Sequence, residues 1–251
     1  MFGFLKASIT LVNDVISNRK FGDRDTVVWP ALYSVRHGIE LGLKQLHDLL
    51  SDAGILDKIF VRNHSLDKFM DSFTENRIGD SELDYLFSKL KIFVDSISML
   101  DGDGQELRYF KRTDGARNLK NESIINLEVI AFCAETVLEI FDRLYYRVRN
   151  FLSERHTKTF TSCLSRSDLD QIASQLPLRG NWGNDEFKKI KANTLKEFDI
   201  GSRQFSIALK KIEENIYLSQ KIGIFSELKA LDDAKIEWLI RVVIDLSLIH
   251  I

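Results

Sequence analysis

The residue types best suited to acid–base chemistry lie in one short stretch of the chain and at one position beyond it. Arg36, Glu40 and Lys44 are spaced by four, and His37 follows Arg36. Residues four apart share one side of a helix, so this spacing places a carboxylate between two cations. His64 would lie beside Glu40 if its segment folds back onto this helix. A His–carboxylate contact suits proton transfer, but the same contacts also occur as a buried structural network that fixes helix register.

An amphipathic helix positions this charged stripe. Apolar residues recur at steps of three and four, which predicts one buried helix face. They are Leu32, Val35, Ile39, Leu43, Leu46 and Leu50. Pro30 suits the first turn of this helix, where its missing N–H is not needed. Because the apolar face is wide, we expect Arg36 or His37 to be partly removed from water and to need a polar partner.

The same stretch resembles a known family. Arg36 to Lys44 reads Arg-His-Gly-Ile-Glu-Leu-Gly-Leu-Lys and is similar to the Arg-His-x-x-Glu-Leu-x-Leu-Lys helix of HEPN-like domains in bacterial, often defence-associated, proteins. Asn63 to Phe69 and the segment from Leu107 to Gly115 fit the same pattern in the same order, so the resemblance covers roughly residues 25–150. It implies an intracellular bacterial protein, of phage-defence or toxin type, that forms a helical bundle, binds or acts on RNA and forms a homodimer.

HEPN-like ribonucleases carry an Arg-x4–6-His motif, and the resemblance implies that Arg149 and His156 form it here, with Asn150 positioning the pair. The His would perform acid–base chemistry on the ribose 2′-hydroxyl and the leaving oxygen, the Arg would stabilise the charged phosphorane, and no metal would be required. Seven residues of straight helix separate the two by about 10 Å, so one phosphate could be served only if the helix bends or a second protomer contributes. Arg and His at a helix end also serve to complement the helix dipole.

A basic segment precedes the longest predicted helix. Its cations outnumber the acids Glu106 and Asp114, and they are Arg108, Lys111, Arg112, Arg117 and Lys120. Such a cluster can contact the phosphates of RNA. A solvated loop rich in basic residues is the alternative interpretation.

Composition limits the fold and the partners. The chain has 251 residues, 44% hydrophobic and 29% charged, which is typical of a soluble globular protein. Pro30 and Pro177 are the only prolines, and scarce helix breakers favour an all-α fold. The net charge of −2 gives no global attraction for nucleic acid, so any such binding must be local. Cys133 and Cys163 lack metal-ligand spacing, and nothing in the sequence predicts a metal or another cofactor.

The helical pattern predicts two regions and an unusual end. Residues 1–156 are expected to form an antiparallel, HEPN-like helical bundle, and residues 157–245 a smaller region of short helices. Residues 246–251 are the sequence that a common transposon-end sequencing adapter would encode. We therefore expect the natural chain to continue beyond about residue 245. A membrane span requires an apolar run of about eighteen residues, and the sequence contains none. We therefore expect a cytoplasmic protein with no membrane partner.

Two functions are compatible with these observations. In the first, the protein is a metal-independent endoribonuclease that uses Arg149 and His156, with RNA guided by the basic segment. In the second, it is a non-catalytic interaction or sensor module, with a structural polar cluster and a protein partner encoded nearby.

Overall fold

The computed structural model describes residues 1–58, 64–102, 104–108, 125–225 and 233–248, and within these ranges the chain is all-α without a β-strand. The helices are α1 Phe2–Ser17, α2 Arg24–Asp52, α3 Leu66–Thr74, α4 Ser81–Leu100, α5 Leu127–Arg155, α6 Arg166–Gln175, α7 Asp185–Glu197, α8 Ser202–Glu214, α9 Ile216–Lys221 and α10 Asp233–Leu248. Two short 3-10 turns, Phe21–Asp23 and Arg179–Asn181, complete the described elements. The predicted all-α helical bundle is confirmed.

Helix α2 lies at the centre of the bundle. It packs on α1, α3 and α5, while α4 packs on α3 and α5. Its predicted apolar stripe is buried along its whole length, from Leu32 to Leu50. Burying such a stripe against several helices is what stabilises a bundle, because the isolated helix could not bury it.

Pro30 lies inside α2 rather than in its first turn, because the helix begins at Arg24. A proline inside a helix removes the hydrogen bond to the carbonyl four residues earlier, here that of Thr26. Thr26 and Pro30 are both exposed, so water can hydrogen-bond to that carbonyl. The helix therefore extends beyond the position that a proline ordinarily marks as its start.

Two side chains fix the starts of the other long helices. Asp80 caps α4, where its Oδ1 accepts a hydrogen bond from the backbone N–H of Leu83 at 2.9 Å. Asn126 caps α5 in the same way through the N–H of Glu128, also at 2.9 Å. Such caps satisfy backbone donors that have no partner inside the helix. Asp80 is buried, so it also brings a negative charge into the bundle.

Contacts divide the chain into two compact units, Met1–Leu169 and Asp170–Ile251. The boundary lies after Leu169 rather than after residue 156, because Ser165 and Asp168 make hydrogen bonds with Arg147 and Ser81 of the bundle. In the second unit, α8 packs on α7 and α9. Residues 249–251, at the end of the suspected adapter, lie outside the described residues.

Candidate active site

A histidine and a buried carboxylate form the centre of the candidate site. Nδ1 of His64 lies 2.7 Å from Oε1 of Glu40. Glu40 is buried on α2, whereas the His64 side chain, just before α3, is 42% exposed. A carboxylate that accepts from Nδ1–H fixes the ring orientation and leaves Nε2 as the basic nitrogen. Among the described residues, Nε2 has no hydrogen-bond partner.

Two cations complete the hydrogen bonding of Glu40. Lys44 donates from Nζ to Oε1 at 2.5 Å, and Arg36 donates from Nη1 to Oε2 at 2.9 Å. Burial alone would raise the pKa of Glu40, but the hydrogen bonds from Lys44 and His64 outweigh it and lower that pKa to about 2. Glu40 is therefore ionised at neutral pH, as a carboxylate that orients His64 must be.

Arg36 connects this pair to a turn far along the chain. Its guanidinium, 1% exposed, donates from Nε to the backbone carbonyl of Asp101 at 3.0 Å and from Nη2 to that of His64 at 2.7 Å. The Asp101 carboxylate lies 3.3 Å from the same Nε and accepts from the backbone N–H groups of Glu106 and Leu107. Arg36 thus holds His64 and Asp101 against α2. This is a structural role, because the guanidinium is not accessible to a ligand.

His37 lies apart from this network. Its ring stacks on Tyr33, with the centroids 5.6 Å apart, and meets Phe4 edge-on at 4.5 Å. Its Nδ1 is buried without a hydrogen-bond partner in the described part of the chain. Burial lowers the pKa of His37, Glu40 opposes this, and the positive charge of Arg108 lowers the pKa further. His37 is therefore a neutral, packed side chain near neutral pH.

Of the predicted basic segment, the structure describes Arg108. Its guanidinium carbon lies 5.4 Å from the ring centroid of Tyr33, next to the His37 stack, and Arg108 is exposed. The other predicted members, Lys111, Arg112, Arg117 and Lys120, lie outside the described residues. One cation of the segment thus lies on the face of α2 that carries the candidate site.

The structure does not bring Arg149 and His156 together. Helix α5 is continuous through residue 155, so Arg149 and Asn150 lie on it about two turns before His156, which is its C-cap. Arg149 and His156 are exposed, and within the described residues neither makes a side-chain hydrogen bond or ion pair. The bend that would bring them to one phosphate is not present in α5.

A second buried polar cluster was missed by the sequence analysis. Arg147 on α5 donates from Nε and Nη2 to both carboxylate oxygens of Asp80, with the Nη2 contact at 2.5 Å. It also donates from Nη1 to Glu154 at 2.7 Å and from Nη2 to Ser165 at 3.3 Å. A sequence signal did exist, because Arg147 follows Leu144 by three and so lies within the apolar stripe of α5.

Asp168 extends this cluster to the start of α6. Its carboxylate accepts hydrogen bonds from the hydroxyls of Ser81 and Ser165 and from both of their backbone N–H groups. Burial raises the pKa of Asp168, the hydrogen bond from Ser81 lowers it, and the charge of Asp80 raises it again. The cluster thus joins α4, α5 and α6 through one guanidinium, and it is enclosed rather than open to a substrate.

In the described ranges, no three His, Cys, Asp or Glu side chains are grouped to hold a metal ion. Cys133 and Cys163 are free thiols. Of the helices that the structure describes, none has both the length and the apolarity that crossing a membrane requires.

Comparison with known proteins identifies no relative. No protein-family model matches the chain, no curated protein matches it, and no solved structure matches it. The resemblance to HEPN-like domains therefore remains a prediction from the sequence motifs.

Proposed function

We propose that the bundle acts on RNA as a metal-independent endoribonuclease whose acid–base residue is His64, oriented by Glu40. The contact that supports this proposal is the 2.7 Å hydrogen bond between a half-exposed imidazole and a buried, ionised carboxylate. The resemblance to HEPN-like domains supplies RNA as the substrate. Arg149 and His156 are less suited to this role, because nothing in the described residues holds either side chain in place.

The reaction would be a transfer of the phosphate to the neighbouring 2′-oxygen. His64 Nε2 would accept the proton of the 2′-hydroxyl, and the freed oxygen would attack phosphorus. The bond to the 5′-oxygen would then break, giving a 2′,3′-cyclic phosphate and a 5′-hydroxyl that takes its proton from water. Lys44, which is 37% exposed and hydrogen-bonded to Glu40, would stabilise the negative charge on phosphorus.

An RNA-cleavage assay in the presence of EDTA tests this proposal. We expect the wild-type protein to cleave a single-stranded RNA to cyclic phosphate ends, and His64→Ala to lose about 10² or more of the rate. His156→Ala is the matched control, because it removes an exposed histidine of the competing pair. If His156→Ala lost cleavage and His64→Ala retained it, Arg149 and His156 would be the catalytic residues. In a toxin or phage-defence setting, expression of the wild type but not of His64→Ala should arrest growth.

The alternative function is a non-catalytic interaction or sensor module. One observation favours it: every Arg36 donor nitrogen already has a partner inside the fold, which is typical of a network retained for structure. RNA that remains intact with the wild-type protein and with both histidine variants would select this function over the nuclease.

We also propose that the bundle forms a homodimer through an exposed apolar surface on α4 and α5. Met99 and Phe132 are 87% and 65% exposed, and Ile92 and Val129 are more than half exposed. Exposed apolar side chains on adjacent helices often mark a protein interface. Light scattering should show a dimer for the wild type and a monomer for Phe132→Glu. Phe21→Glu, at an exposed site on the α1–α2 turn, should remain dimeric, and a monomeric wild type would contradict the proposal.

A further inference from the structure

The second unit contains a groove that the proposed nuclease reaction does not use. It lies along α7 and α8 beside the turn Arg179–Asn181 and has a volume of about 440 Å³. This volume falls in the usual range of small-molecule sites, roughly 300–1,000 Å³. Its lining combines flat aromatic rings with cations, and the residues that matter are Arg179, Trp182, Phe187, Lys191, Phe205 and Lys210.

The flat side chains of this groove form a continuous series of contacts. The guanidinium carbon of Arg179 lies 4.3 Å from the ring centroid of Trp182. Trp182 stacks on Phe187 with centroids 5.2 Å apart and planes 20° apart, and Phe187 contacts the buried Phe205 at 6.2 Å. Trp182 is also fixed at its edge, because Nε1 donates to the carbonyl of Pro177 at 3.0 Å. The series thus runs from a buried ring to a half-exposed guanidinium plane.

The groove also has an excess of positive charge. Arg179, Lys191 and Lys210 line it, and Glu213 is the one acid among the described lining residues. Lys210 also lies 3.8 Å from Glu214, which is next to the groove in sequence but does not line it. Glu213 accepts from Nε of Arg179, which leaves the two η nitrogens of that guanidinium without a partner among the described residues. Lys191 likewise has no acidic partner within the described part of the chain, and its Nζ lies 5.9 Å from the ring centroid of Phe205. Two cations at the edges of an aromatic stack are therefore available to a ligand.

We propose that this groove binds single-stranded nucleic acid. A base would stack on the outer face of the Arg179 guanidinium, which lies on Trp182 at the end of the series, because bases stack on guanidinium planes as well as on aromatic rings. Lys191 and Lys210 would contact the phosphates on either side, and the η nitrogens of Arg179 would donate to a third. An acidic peptide would satisfy the cations but would leave the stack unused. A duplex has its bases already stacked on each other and could not insert one.

The proposal does not depend on catalysis by His64, and its test uses an oligonucleotide that cannot be cleaved. A fluorescein-labelled, eight-nucleotide 2′-O-methyl oligoadenylate is titrated with the full chain, and anisotropy gives the affinity. The matching DNA oligonucleotide, the duplex and an eight-residue polyglutamate are compared at the same salt concentration. In a W29F/W238F background, Trp182 is the single tryptophan, so a change in its emission reports a base bound at the adjacent Arg179 guanidinium.

Paired charge variants on the same surface provide the control. We expect Lys191→Gln with Lys210→Gln to weaken binding at least about tenfold. The slope of log affinity against log salt concentration should become shallower by about 0.7 per lysine, as the loss of a phosphate contact requires. Lys188→Gln with Lys189→Gln removes the same charge from α7 outside the groove and should leave the affinity within about twofold. Binding of DNA as well as RNA supports the proposal and shows that the groove does not contact the 2′ position of the sugar. A preference for RNA also supports the proposal and identifies RNA as the natural ligand.

Three results would overturn this proposal. The first is equal weakening by both double variants, because the effect would then be one of net charge rather than of the groove. The second is binding of the duplex or of polyglutamate as tightly as the single strand. The third is tight binding that leaves the emission of Trp182 unchanged, since no base would then lie at the Arg179–Trp182 pair. RNA cleavage could persist in all three cases, so failure here is distinguishable from failure of the proposed nuclease.

Discussion

The guanidinium of Arg36 lies against the backbone of Gly104. A β-carbon at Gly104 would lie 3.0 Å from the central carbon and from both η nitrogens of Arg36. Gly104 also has a φ of +79°, a backbone conformation that residues with a side chain rarely adopt. The turn after α4 therefore closes over Arg36 only because this residue has no side chain, and it thereby seals the bonds that Arg36 makes to Glu40 and Asp101.

Replacement of Gly104 by alanine tests this closure. The left-handed φ should cost about 1–2 kcal/mol, and the contact with the Arg36 guanidinium should add to it. Gly54→Ala is the matched control, because Gly54 has a φ of +69° but open space where the β-carbon would lie. We expect Gly104→Ala to lower the free energy of unfolding in urea by at least about 1 kcal/mol more than Gly54→Ala. Equal losses would mean that the turn does not press on Arg36.

Arg147 should contribute more to stability than any exposed arginine of α5. Arg147→Met would leave Asp80 and Glu154 without their cation inside the bundle, and such a change typically costs about 3–5 kcal/mol. Arg143→Met on the same helix removes an exposed ion pair with Glu82, 3.3 Å in length, and should cost less than about 1 kcal/mol. Chemical denaturation of both variants measures the difference. If both variants lost a similar, small amount of unfolding free energy, the buried cluster would contribute little to stability.

The pKa of Glu40 predicts a loss of stability in acid. Its pKa is lowered from an ordinary 4.5 to about 2 in the folded protein, so the unfolded chain takes up the proton first. The stabilisation is therefore complete above pH 4.5 and disappears as the pH falls towards 2, by an amount on the order of 3 kcal/mol. Lys44→Met removes one cause of the shift and raises the pKa of folded Glu40, so the loss should still begin near pH 4.5 but end at a higher pH and be smaller in total.

Unfolding free energies measured between pH 7 and pH 2.5 would show this smaller total loss. Lys91→Met is the control, because Lys91 also pairs with an acid four residues away, Asp95, but at an exposed site. We expect Lys91→Met to keep the wild-type pH profile. Coincident profiles for all three proteins would mean that Lys44 does not hold the pKa of Glu40 down.

The helix faces could be predicted from the sequence, but most of the polar partners could not. The apolar stripe of α2 predicted a central helix and a desolvated cation, and Arg36 is the one that is fully buried. Local periodicity shows which side of a helix faces inward, not which distant turn closes over it. Asp101 lies 65 residues from Arg36 in the chain, and no local pattern marks it as the partner of that guanidinium. The distant partners of Arg147 were missed for the same reason, because Asp80 and Ser165 are positioned by helix starts elsewhere in the chain.

The close packing of α2 on α5 gives the last prediction. A β-carbon at Gly42 would overlap the ring of the fully buried Phe141 and lie 2.9 Å from Sδ of Met1. Gly42→Ala should therefore destabilise the bundle by about 1–3 kcal/mol, less the roughly 1 kcal/mol that alanine gains over glycine in a helix. Gly38→Ala, one turn earlier, meets only the side chain of Leu5 at 3.0–3.1 Å and its backbone N at 3.5 Å, so it should be nearly neutral. Because both substitutions gain the same helix propensity, the difference between their urea midpoints measures how much more the overlap at Gly42 costs than the contact with Leu5 at Gly38. Equal midpoints would contradict the packing of these two helices.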